Sequence, residues 1–130
     1  MSEGAKRPRV LIADDDDGVG TAISRLLSPS CEVVGRAVDI ETLFAAAMQN
    51  RPDVVLLDFS LPGPLNALKA CRRLRAMTPD VKLVALTAHD DVEIRRAAYE
   101  AGCSGFVWKL DAATQLVRTI QALVHGRSPV

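Results

Sequence analysis

A chain of 130 residues, 48% apolar and 25% charged, has the composition of one soluble globular domain able to bury its own core. Sixteen basic residues balance sixteen acidic ones, which excludes a whole-chain attraction to nucleic acid or membrane. The apolar runs are no longer than a strand, and the stretch after Lys6, Arg7 and Arg9 is too short for a signal peptide, so neither a spanning helix nor a leader is expected.

In chain order, short apolar runs alternate with helical patterns. Val10-Leu11-Ile12-Ala13 predicts a strand buried on both faces. Val19, Ile23, Leu26 and Leu27 form the stripe of a first helix, stopped by Pro29. Cys31-Glu32-Val33-Val34-Gly35 is a mixed run that suits a sheet edge. Leu43, Phe44, Ala47 and Met48 mark a second helix that must end before Pro52. Val54-Val55-Leu56-Leu57 is a third strand, and Leu68, Cys71 and Leu74 mark the helix after the turn residues Pro62-Gly63-Pro64. Lys69, Arg72, Arg73 and Arg75 read as the solvated face of that helix. Leu83-Val84-Ala85-Leu86 is the fourth strand. Ile94, Ala97, Ala98 and Ala101 give a thin stripe closed by Gly102. Gly105-Phe106-Val107-Trp108 is a mixed fifth strand, which sends Phe106 and Trp108 to one face. Ala113, Leu116, Val117, Ile120, Leu123 and Val124 make the last stripe, with Asp111 placed to cap its start and Gly126 its end. Cys31, Cys71 and Cys103 are an odd number without a C-x-x-C, which reads as buried small hydrophobes in a reducing cytoplasm.

A (βα)5 order with buried central strands predicts a parallel sheet covered by helices on both faces. The flavodoxin-like strand order 2-1-3-4-5 fits five strands and puts the topological switch point between the first and third. Ligands bind beyond the carboxyl ends of strands at such a point, so functional residues should follow Ala13 and Leu57. Those positions are acids: Asp14 to Asp17 after the first strand, Asp58 after the third. Asp16 and Asp17 read as the acidic start of a helix. Asp14 and Asp15 are aimed at Asp58, and two carboxylates about 4 Å apart repel by roughly 4 kcal/mol at an effective dielectric near 20. Such a cluster stays ionised only around a cation, and a few carboxylates with water suit Mg²⁺. Thr87 and Lys109 end the fourth and fifth strands and bring a hydroxyl and an ammonium to the same edge. Together these groups make a complete site for phosphoryl transfer, with Asp58 as nucleophile.

The segments Ile12-Ala13-Asp14-Asp15-Asp16, Leu56-Leu57-Asp58-Phe59-Ser60-Leu61-Pro62-Gly63, Leu86-Thr87-Ala88 and Gly105-Phe106-Val107-Trp108-Lys109 resemble response-regulator receiver domains of two-component systems. The resemblance covers residues 9 to 126. It implies one receiver domain over 1–130, with a short basic tail at 1–8 and a linker-like tail at 127–130. It implies that Asp58 accepts a phosphoryl group from a histidine kinase or phosphotransfer protein. Mg²⁺ would be held by Asp15, Asp58 and the Ser60 carbonyl, with Asp14 acting through water. Thr87 and Lys109 would be the phosphoryl-oxygen ligands, and Thr87 and Phe106 the switch pair. Helix 4, strand 5 and helix 5 would form a docking face for partners or a second copy. Beyond its own phosphorylation and slow dephosphorylation such a domain catalyses nothing. Ser60 and His89, two residues past Asp58 and Thr87, are placed to tune the phosphate lifetime. Glu32-Val33-Val34-Gly35, Arg51-Pro52-Asp53 and Val124-His125-Gly126 are similar to receivers of LuxR-type DNA-binding regulators. The basic DNA-reading segment of those proteins has no counterpart in these residues, so transcriptional output would come through a fused domain or a partner.

The sequence departs from the family at three places. Leu110 stands where a proline commonly follows the lysine, leaving the Lys109-Leu110 geometry open. Phe106 replaces a common tyrosine, and Gly63-Pro64-Leu65-Asn66 lacks the usual glycine before helix 3. Two rival enzyme readings fit poorly. A haloacid-dehalogenase-like phosphatase wants an aspartate where Ser60 stands, and Gly18-Val19-Gly20 lacks the third glycine of a dinucleotide site and follows four aspartates. The alternative that competes is a receiver-like module working by protein contact without phosphate.

Overall fold

The computed structural model describes residues 7–63 and 65–126. The elements run β1 (Arg9–Ala13), α1 (Asp17–Leu27), β2 (Glu32–Ala37), α2 (Ile40–Asn50), β3 (Val54–Asp58), α3 (Ala67–Met77), β4 (Lys82–Thr87), α4 (Val92–Glu100), β5 (Gly105–Trp108) and α5 (Ala112–Val124). All strand pairs are parallel, and the sheet order is β2-β1-β3-β4-β5. This is the flavodoxin-like order expected from five strand–helix units.

Alternation along the central strands explains their unbroken apolar runs. Leu11, Val55, Leu57, Leu83 and Ala85 point to one face, against Leu43 of α2, Cys71 and Leu74 of α3, and Ala98 of α4. Val10, Ile12, Leu56, Val84 and Leu86 point to the other, against Ile23 and Leu27 of α1 and Leu116 and Ile120 of α5. Both faces are covered, so every residue in the middle of β1, β3 and β4 must be apolar. The edge strands β2 and β5 are only half-buried, as their mixed composition predicts.

Side chains cap four helices. Asp16 accepts from Val19 N at 3.0 Å, Asp39 from Thr42 N at 2.8 Å, Asn66 from Lys69 N at 2.9 Å and Asp91 from Glu93 N at 2.7 Å. Thr42 bonds back to complete a box, and its donors hold the Asp39 carboxyl below its usual value. Asn66 thus opens α3 without the family glycine. Gly102 and Gly126 take positive φ, 111° and 73°, at the ends of α4 and α5.

Four expectations need correction. Asp111 occupies the cap position of α5, but its side chain makes no capping bond, because a 3-10 turn over Lys109–Asp111 leads into the helix. Ala113, Val124 and Met48 are exposed rather than part of their helices' buried stripes. Arg75 is no solvated side chain: it donates to the carbonyls of Pro79, Val81 and Gly102 at 2.7, 2.7 and 2.9 Å. Arg7, assigned to the basic tail, donates to the carbonyls of Ser28 and Cys31. The rest of that tail, 1–6, and the tail at 127–130 lie outside the described residues. No described helix is long and apolar enough to cross a membrane.

Candidate functional site

The register of the sheet assembles the site. Ala13 pairs with Leu57, Asp58 with Leu86, and Thr87 with Trp108, so the residues at and just beyond these pairs converge on one edge. Asp14, Asp58 and Thr87 are buried there, at 0%, 2% and 4% exposure, while Asp15 is exposed at the rim. Each of Asp14, Asp15 and Asp58 offers one carboxylate oxygen, and these oxygens lie within 4.8 Å of one another.

Lys109 reaches into the cluster from the end of β5. Its Nζ lies 3.3 Å from Asp14 Oδ2 and 3.2 Å from Asp58 Oδ2. Burial by itself would lower the lysine pKa, but Asp58 first and Asp14 second outweigh it and raise the pKa above its ordinary value. The ammonium is therefore firmly charged. One cation against three carboxylates still leaves negative charge in a partly buried pocket.

The two oxygens of Asp58 are not equivalent. Oδ1 accepts from Ser60 N at 3.0 Å and from Ser60 Oγ at 2.9 Å. Oδ2 is buried and receives no aligned hydrogen bond, with only the Lys109 ion pair nearby. A buried carboxylate oxygen left without a donor is costly unless a cation or a reacting group meets it. Hard oxygen donors from three clustered carboxylates fit a hard divalent cation. The sequence places Ser60 here through its carbonyl and its position beside the phosphate; the structure adds that its hydroxyl and amide hold Oδ1.

Thr87 is at the edge but engaged elsewhere. Its hydroxyl accepts from His89 N at 3.1 Å and lies 3.2 Å from the His89 carbonyl. Thr87, His89, Ser60 and Asp58 line a cavity of about 460 Å³ that extends between α3 and α4 to Leu68, Ile94 and Ala97. Phe106 lies on the β5 face toward α4, its ring 5.0 Å below the Arg95 guanidinium. Trp108 shares that face, and its indole Nε1 donates to Ala88. The peptide chain after Lys109 contains no cis bond. Asn66, which lines the same cavity, was missed as a site neighbour; its capping pattern before an apolar run was the available signal.

The model of the response regulator receiver domain matches residues 10–121. The chain belongs to the response-regulator receiver domain family. This receiver domain is 36% identical over 127 residues to the transcriptional regulatory protein PrrA of Mycobacterium tuberculosis, a match covering 98% of the chain and 54% of PrrA. It thus spans about half the length of the curated relatives it matches. Among solved structures, it is similar to a LuxR-family two-component response regulator from Aurantimonas sp., with TM-score 0.88 and 30% identity over 95% of this chain and 89% of that one. It also superposes on the signal receiver domain of the putative response regulator NarL from Mycobacterium tuberculosis. That match has TM-score 0.87 and 28% identity, covering 94% and 99% of the two chains. The receiver fold thus agrees across sequence and structure, and the acidic pocket of this receiver domain offers three carboxylates that could hold a metal ion.

Proposed function

We propose that this receiver domain takes a phosphoryl group onto Asp58 from the phosphohistidine of a histidine kinase or phosphotransfer protein. The observation that carries the reading is the split character of Asp58. Ser60 fixes Oδ1, which leaves Oδ2 buried with Lys109 as its one close partner among the described residues, oriented to act as the in-line nucleophile. Asp14, Asp15, Asp58 and the Ser60 carbonyl would hold Mg²⁺, which when bound neutralises charge on the phosphoryl oxygens. Oδ2 attacks phosphorus as the phosphorus–nitrogen bond to the donor breaks, and the proton needed by the leaving imidazole comes from the donor side. Lys109 stays charged and compensates the equatorial oxygens. Thr87 adds its hydroxyl after leaving His89. The domain performs this transfer and its slow hydrolysis on itself only, and is not an enzyme for other substrates.

Phosphorylation would be read on the face of α4, β5 and α5, where Phe106 and Trp108 lie, by a partner or a second copy. The relative PrrA is named as a transcriptional regulatory protein, which supports transcriptional control as the output and the cytoplasm as the compartment. Direct contact with nucleic acid by residues 1–130 forms no part of this function. The deciding experiment is labelling by acetyl phosphate with Mg²⁺. Wild type should incorporate acid-stable, base-labile phosphate, and Asp58→Ala should incorporate none while keeping its fold. Equal labelling of the alanine variant removes Asp58 as acceptor. A wild type that never labels leaves the phosphate-independent contact module.

A further inference from the structure

Cys71 and Cys103 are remote in sequence and adjacent in space. Cys71 sits in α3, fully buried; Cys103 follows Gly102 in the turn between α4 and β5, 6% exposed. Their Sγ atoms are 3.3 Å apart. A disulfide bond measures about 2.05 Å, so the sulfurs need to close by only about 1.3 Å. The backbones that carry them are already tied together. Arg75, one turn beyond Cys71, donates to the Gly102 carbonyl at 2.9 Å, and Cys103 N donates to Ala98 O at 3.0 Å. Cys31 packs on the opposite face of the sheet and cannot join them.

We propose that Cys71 and Cys103 form a reversible oxidation site, a dithiol that closes to an internal disulfide and fastens α3 to the end of α4. The two thiols are unequal. A hydrogen bond from Cys103, helped by the positive charges of Arg75 and Arg72, holds the Cys71 thiol below its ordinary pKa against the pull of burial. Cys103, hydrogen-bonded to Cys71 and buried, is raised. Cys71 is therefore the attacking sulfur and Cys103 the resolving one. With a hydroperoxide as oxidant, the Cys71 thiolate attacks the distal peroxide oxygen and the O–O bond breaks. The departing oxygen takes a proton, leaving a sulfenic acid on Cys71. The Cys103 sulfur then attacks the Cys71 sulfur, its own proton leaves with the displaced hydroxide as water, and the S–S bond is made. Two thiols are oxidised by two electrons and one peroxide bond is reduced. Oxidant enters by local opening of α4, whose only fully buried helical residue is Ala98.

The bond would secure the carboxyl end of α4 while leaving its amino end, beside Thr87, free to move. It does not depend on phosphate chemistry at Asp58. The test treats the folded protein with hydrogen peroxide, then counts thiols, maps peptides and follows amide exchange. The expected result is a fall from three free thiols to one. The intact mass should drop by about 2 Da, with a Cys71–Cys103 linked peptide, all reversed by dithiothreitol. Exchange of the Cys103 amide should slow by about tenfold or more. Cys31→Ala should behave as wild type, and Cys71→Ala and Cys103→Ala should give no internal disulfide. Three thiols surviving treatment longer than exchange of the Cys103 amide would overturn the proposal. So would stable oxygen addition to one cysteine, or a disulfide that links two chains through Cys31. The wild-type peptide map decides the matter even where a variant fails to fold.

Discussion

Trp108 Nε1 donates a 3.0 Å hydrogen bond to the carbonyl of Ala88, the residue after Thr87. The one tryptophan of the chain is thereby latched to the loop that carries the site's hydroxyl. The Thr87 hydroxyl itself is engaged by the His89 backbone. Any movement of Thr87 toward a phosphoryl group strains the Trp108 latch.

Trp108 emission should therefore report occupancy of the site. Beryllofluoride with Mg²⁺ should shift the fluorescence of wild type and leave that of Asp58→Ala unchanged. Light scattering on the same samples should show a move toward dimer, because Phe106 and Trp108 share the proposed docking face. Saturating ligand that changes neither signal removes this face as the output surface.

Asp15→Asn should weaken Mg²⁺ binding by about tenfold or more and lower phosphorylation with it. Without metal the same variant should melt at or above the wild-type temperature, since the substitution relieves repulsion with Asp14 and Asp58. A magnesium titration that matches wild type excludes Asp15 as a ligand.

Lys109→Gln should destabilise the metal-free protein by about 1–3 kcal/mol, a range reduced for the partial exposure of the ammonium. Mg²⁺ should restore part of that loss by supplying the missing positive charge, which paired thermal melts would reveal. The pH dependence follows from the raised lysine pKa. Its stabilising contribution is complete below the ordinary value of 10.5 and disappears as pH rises through the higher folded value. Denaturant midpoints of wild type should thus fall more steeply above that pH than those of Lys109→Gln.

Ser60 and His89 line the 460 Å³ cavity beside Asp58. Replacing both with other polar types should change the lifetime of the phosphorylated form without moving the modification from Asp58. Removing the Ser60 hydroxyl also frees Asp58 Oδ1 from one donor. Superimposable decay curves would mean that neither residue governs the approach of water.

Gly63→Ala should be among the most damaging single changes outside the site. Gly63 has φ 151°, and a Cβ there would lie 2.5 Å from Ile40 Cβ and 3.1 Å from Ile40 N. Backbone strain and overlap together predict a loss of about 2 kcal/mol or more. Asn66→Ala, which removes the cap of α3, should cost about 1 kcal/mol. Urea midpoints showing Gly63→Ala as mild as Asn66→Ala would mean that the turn before α3 rearranges freely.

The strands, the helices and the placement of Asp14, Asp15, Asp58, Thr87 and Lys109 at one edge were legible in the sequence, because periodicity and chain order act through local geometry and one strand-order rule. A residue that ends a buried strand of a parallel sheet has little choice of where to be. Pairings between elements carry no such local signature. Asp14 and Lys109 meet across 95 positions of chain, and Cys71 and Cys103 across 32. Whether Arg75 faces solvent or gathers three carbonyls, and whether Trp108 finds Ala88, depends on how α3, α4 and β5 settle against one another. The same holds for the two unlike oxygens of Asp58, since side-chain direction follows from packing that only the assembled fold creates.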